Sequence, residues 1–104
     1  MAATWYRVNV DGTTVKLPHK PSLEGMQEAV GGYVEHVALD GKTHLWLNEE
    51  GKLVGLEVNP KATAAWRCYF GATDVIVGNV LFEIWGETKR NRWLVTHLET
   101  ESHA

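Results

Sequence analysis

Few residues in this chain have types and spacings that fit a recognised chemistry. Its five histidines and single cysteine form no Cys-x-x-Cys and no His-x-x-x-His pair. A structural metal site takes about four ligands, so no metal and no other cofactor is expected. His36 and His44 are close in sequence, but the strand register argued below places them on opposite faces, where they cannot share an ion. Cys68 lies near the C-terminal end of an expected helix. The dipole there has the wrong sign to activate a thiol, so the residue reads as a buried, inert cysteine. Glu35 and His44 are the one carboxylate–imidazole pair that the same register brings together, with Trp46 beside them. That arrangement fits general acid–base catalysis, but an exposed cross-strand pair of the same composition is far commoner. There is no Gly-x-Ser-x-Gly elbow and no phosphate-binding loop; Asp40-Gly41-Lys42-Thr43 resembles the end of one, but no helix follows it. No catalytic residue is assigned and the chain is read as a non-enzyme.

Two sets of residues remain as candidate binding surfaces. The first is Tyr33, Glu35, His44 and Trp46, a face of mixed aromatic, apolar and charged character, as interfaces are. A second packing layer on that face is the competing reading. Four polar neighbours make a poor lining for a dry core, so Trp46 is expected to be at least partly exposed. The second set is Trp66, Arg67, Arg90, Arg92 and Trp93. Here arginines beside indoles fit a small anionic planar ligand such as a nucleotide signal, bound between subunits of a homo-oligomer. A solvated basic loop at Lys89-Arg90-Asn91-Arg92 is the plainer reading of part of this set.

These residues must be positioned by a single small domain. The chain has 104 residues, 44% of them hydrophobic and 22% charged, which is ordinary for a globular domain. One domain is expected from Thr4 to Leu98, followed by a flexible tail at Glu99–Ala104. A net charge of −3 argues against general nucleic-acid or membrane-surface binding. The first residues lack a basic region and an apolar run, no stretch is long enough to span a bilayer, and the lone cysteine suits a reducing compartment, so the expected location is cytoplasmic.

The expected architecture is α+β, an antiparallel sheet of β-hairpins with two short helices in the order ββ-α-ββ-α-β. Asp11-Gly12 and Asp40-Gly41 each lie between alternating runs and predict tight hairpin turns. Two-residue turns would pair Val8 with Val15, and His36 with Leu45. The first hairpin then carries Tyr6, Val8, Val10, Thr13, Val15 and Leu17 on its core face. The second carries Val34, His36, Ala38, Thr43, Leu45 and Leu47 on its core face. Its other face holds Tyr33, Glu35, Val37, Leu39, Lys42, His44, Trp46 and Asn48. Ser22 and Gly31-Gly32 bound one helix, and Asn59-Pro60 and Gly71 bound the other. Asp74–Trp85 is a β-rich run broken near Gly78-Asn79. Periodicity leaves Trp93–Leu98 open between strand and helix.

Several separated motifs carry a family resemblance. They are Met26 to Glu35 (MQEAVGGYVE), Asn48-Glu49-Glu50-Gly51-Lys52, Asn59-Pro60 with Ala62 and Ala65, and Asp74 to Gly78 (DVIVG). Over Leu23–Val80 the chain resembles small phage and mobile-element proteins catalogued as a domain of unknown function, family 3846. The resemblance supplies no catalytic residues. It implies a context in which small accessory proteins bind and modulate a host factor, counter-defence included, with a host protein as partner and the host cytoplasm as location. The ligand-sequestering reading is the alternative.

Overall fold

The chain reverses between antiparallel strands at both Asp-Gly sites, but at the second Asp40 pairs with Thr43 and the turn itself is Gly41-Lys42. The computed structural model describes residues 2–103. The elements are β1 (Thr4–Val8), β2 (Thr14–Lys16), α1 (Leu23–Val30), β3 (Val34–Asp40), β4 (Thr43–Asn48), α2 (Pro60–Phe70), β5 (Val80–Ile84), α3 (Arg92–Glu101) and β6 (Ser102–His103). Spatial order across the sheet is β3-β4-β5-β1-β2-β6. Strands β1 to β5 pair antiparallel, and the two-residue β6 runs parallel to β2 at the edge. The fold is α+β as expected, with a third helix in the segment that periodicity left open. That helix runs past Leu98 to Glu101, so most of the expected tail is helix and edge strand.

The helix boundaries follow local chemistry. The Ser22 hydroxyl accepts from the Gly25 N–H at 3.0 Å, and Gly31 closes α1 in the left-handed region at φ 79°. Asn59 caps α2 ahead of Pro60, and the Gly71 N–H bonds back to the Arg67 carbonyl.

Register is where expectation and structure part. In the first hairpin Val8 pairs with Thr14 and Arg7 with Val15, one residue away from the predicted pairing. The turn holds Val10, Asp11 and Gly12: the Asn9 N–H bonds the Thr13 carbonyl at 2.9 Å, the Gly12 N–H bonds the Asn9 carbonyl, and Gly12 sits at φ 90°. This is the three-residue hairpin connection, a turn closed by a left-handed glycine, in place of the two-residue form. Thr14 is therefore buried beside Val8, while Leu17 packs on the opposite face with Trp5. In the second hairpin a bulge between Ala38 and Asp40 inserts one residue, and His36 pairs with Trp46 instead of Leu45. Strand β4 keeps its expected facing and β3 is inverted: Leu39 enters the core, and His36 leaves it for the face that holds Trp46.

Two cores result. On one face of the sheet, α2 and α3 cover Tyr6, Val8, Leu39, Leu45, Val80, Phe82 and Ile84. On the other, α1 packs Met26 over Trp5 and Leu81, with Val34 and Trp46 at the margin. A polar cluster braces the first core. Tyr69 Oη donates to Asp40 Oδ2 at 2.6 Å, Thr88 Oγ1 donates to the same oxygen at 2.9 Å, and Asn91 Nδ2 donates to Thr43 Oγ1 at 2.8 Å. It ties the β3–β4 turn to the end of α2 and the approach to α3.

Candidate functional site on the open sheet face

Helix α1 covers only part of its side of the sheet. Beside it lies a surface built by β3, β4 and β5, and its neighbours are set by the corrected register. His44 and Trp5 flank Glu83 from the two adjacent strands, and His36 and Leu81 flank Trp46. The Glu49 N–H bonds the Tyr33 carbonyl. Because bonded and non-bonded pairs alternate along an antiparallel ladder, His36–Trp46 is a non-hydrogen-bonded pair, whose side chains stand closest. Their rings are accordingly 4.5 Å apart.

His36 Nε2 and His44 Nδ1 are 2.6 Å apart and the ring centroids 4.8 Å. That centroid spacing is nearly the nitrogen separation plus the two ring radii. The imidazoles therefore meet edge to edge through one N–H···N bond, close to coplanar at 15°. The argument that kept these histidines apart fails with the register that produced it. Among the described residues, no three His, Cys, Asp or Glu side chains gather as a metal-ligand set.

Glu83 is 9% exposed on the central strand. Its two oxygens accept from two indoles, Trp46 Nε1 at 3.0 Å and Trp85 Nε1 at 2.9 Å. Trp46 is half-buried between His36 and Trp5, whose ring centroid lies 6.1 Å away. Trp85 is 41% exposed. The result is an aromatic and imidazole surface around a buried carboxylate.

Only half of the first candidate set is brought together. His44 and Trp46 share this face. Tyr33 and Glu35 do not, because inverting β3 sends them away: Tyr33 is exposed and Glu35 borders a cleft with Leu47, Lys52 and Val77. The Glu35–His44 acid–base pairing is thus undone. His36, Glu83 and Trp85 were missed. A signal for Glu83 did exist, as the one charged residue in the apolar run Val80–Ile84.

The second set does not converge. Trp66 packs on Phe70 and donates to Thr73 Oγ1 at 3.0 Å. Arg67 is exposed. Arg90 lies 4.8 Å over the Tyr69 ring and donates to the Tyr69 carbonyl, Arg92 sits 3.7 Å from Glu87, and Trp93 stacks on His97. Trp66, Arg90, Arg92 and Trp93 are each engaged locally, and none of the five residues lines the main clefts of the surface. Cys68 is exposed, not buried as its place in the helix suggested. No helix among the described residues is long and apolar enough to cross a membrane.

The two tryptophans that hold Glu83 differ in burial, which gives a contrast to measure. Trp46→Ala removes a half-buried ring from between Trp5 and His36 and takes a donor from a buried carboxylate. It is expected to lower stability by about 2–3 kcal/mol. Trp85→Ala removes an exposed ring and is expected to cost about 1 kcal/mol or less. Urea unfolding of both variants checks this, and equal losses would show that Trp85 is structural.

Fold and face together define a small α+β domain with an antiparallel sheet, one side sealed by two helices and the other half-open. The chain matches the model of the family described as "Domain of unknown function (DUF3846)" over residues 5–92, and it belongs to that family. The match extends beyond Leu23–Val80 on both sides and takes in most of the residues just described, including Glu83 and Trp85. No curated protein and no solved structure matches the chain.

Proposed function

We propose that this chain is a non-enzymatic binding protein of phage or mobile-element origin that docks on a host protein, with counter-defence as its setting. The open face of the sheet is its working surface. The observation that carries the reading is the half-exposed Trp85 beside the buried Glu83, with His36 and His44 at the margin. Aromatic groups on a flat, rigid, partly covered sheet are typical anchors of protein interfaces, where a few such residues supply most of the affinity. Dispersal of Glu35 from His44 removes the acid–base pair that the sequence suggested, and the Glu83 carboxylate beside His44 is taken up by two indole N–H groups while His44 bonds His36, which supports binding over catalysis. The nucleotide-binding alternative keeps its residues but has no shared pocket to support it.

Immobilised protein incubated with lysate of a bacterial host tests the proposal. One host protein is expected to be retained in near-stoichiometric amount by the wild type and by Trp66→Ala, and to be lost by Trp85→Ala. Retention unaffected by Trp85→Ala would place the interface elsewhere. A ligand arm uses thermal melts with a nucleotide panel: a clear rise in Tm would favour the sequestering reading.

A further inference from the structure

We infer that the Glu83–Trp85 corner of the open face receives an arginine side chain presented by the partner protein. This rests on the docking reading above and adds the chemistry of what is docked. Glu83 is a nearly buried carboxylate whose side-chain partners are both neutral, the indole N–H groups of Trp46 and Trp85. Among the described residues the ion pairs are Lys52–Asp74, Lys61–Glu101 and Arg92–Glu87, and none of these residues' cations pairs with Glu83. Buried carboxylates are ordinarily paired with a cation, because desolvation penalises the lone charge. Of the basic groups around it, His36 and His44 bond each other, the Lys42 side chain runs along Gly86, and Arg7, diagonal to it on β1, forms no ion pair with it.

Each carboxylate oxygen keeps acceptor capacity beyond its single indole bond. Beside it, the Trp85 ring is 41% exposed, whereas the Trp46 ring has His36 and Trp5 for neighbours. A carboxylate with spare lone pairs next to a free indole face suits a guanidinium, which is planar, stacks on aromatic rings and forks onto carboxylates. An ammonium would use the carboxylate alone. Trp85 borders a shallow cleft with Gly86 and Glu87, but Glu83 lines none of the main clefts, so a free small molecule would find little enclosure around the carboxylate. A side chain held in place by a surrounding protein interface does not need it.

The test uses the full chain and N-acetyl-argininamide as the probe, followed through the indole N–H signals of the five tryptophans by NMR. Saturable shifts of the Trp46 and Trp85 signals are expected, at least three-fold weaker with N-acetyl-lysinamide, and weakened at least ten-fold in Glu83→Gln. Should Glu83→Gln fail to fold, the exposed-site variant Trp85→Ala is expected to show the same loss. No saturable shift, equal binding of the lysine probe, or undiminished binding by Trp85→Ala would each overturn the assignment. The two readings fail separately. A host protein captured in a Trp85-dependent way without any argininamide response overturns the arginine assignment alone. Argininamide binding with no captured host protein supports the corner as a cation site and counts against the docking reading.

Discussion

Asn59→Ala is expected to lower stability by about 4 kcal/mol, a large loss for one uncharged side chain. Asn59 is fully buried and makes three hydrogen bonds in different directions. Its Oδ1 accepts from the Ala62 N–H at 3.0 Å, capping α2. Its Nδ2 donates to the Val8 carbonyl at the end of β1 and to the Gly78 carbonyl before β5, both at 3.0 Å. Loss of a cap costs about 1 kcal/mol. Each buried carbonyl left without its donor adds about 1–3 kcal/mol. Asn59→Asp keeps the capping acceptor but turns an oxygen toward two carbonyl oxygens, so it is expected to do no better than alanine at neutral pH. Asn59→Ser restores the cap only and is expected to recover about 1 kcal/mol. Midpoints of urea unfolding rank the three variants; a loss under about 1 kcal/mol for Asn59→Ala would show that the carbonyls find other donors.

Raising the pH from 10 to 12 is expected to remove about 2 kcal/mol of stability through one tyrosine. Burial, and then the hydrogen bond to Asp40, pushes the Tyr69 hydroxyl up to about 12. Unfolded tyrosine ionises near 10, so the folded state holds its proton through a window in which the unfolded state releases it. A raised folded value gives stability that is complete well below pH 10 and is lost as pH climbs through the folded value; two units correspond to about 3 kcal/mol in full, of which about 2 kcal/mol falls between pH 10 and 12. Tyr6, raised by burial and then by the charge of Glu99, acts in the same direction. Tyr69→Phe should flatten the alkaline limb and cost about 1–2 kcal/mol at neutral pH. If the wild type and Tyr69→Phe lose stability in parallel between pH 10 and 12, the phenol is not responsible. The same cluster acts at acid pH with opposite sign. Burial pushes Asp40 up, but hydrogen bonds from Tyr69, the Lys42 N–H, Thr43 and Thr88 together hold it below the usual carboxylate range. Its contribution is present above about pH 4 and is lost as pH falls through the folded value.

The amino-acid sequence by itself determined the features of this protein that depend on a few adjacent residues. Ser22, Asn59-Pro60, Gly31 and Gly71 mark helix ends because a cap needs only a side-chain oxygen or a permissive backbone within one turn. Asp11-Gly12 and Asp40-Gly41 mark chain reversals for the same reason. The α+β class follows from the order of those elements. What tertiary structure decided was register, and with it the composition of both sheet faces. An Asp-Gly pair serves a two-residue or a three-residue connection, and the choice was made at a distance. The Val10 N–H is held by Asn79 Oδ1 at 2.9 Å across 69 residues, and Leu39 is drawn into a core assembled from both α2 and α3. One added residue in each connection inverts a strand, because side chains alternate faces with period two. That inversion parted Glu35 from His44 and joined His36 to it. The pairing of β4 with β5, which no local pattern shows, set Trp46 over Glu83 beside the neighbouring Trp85.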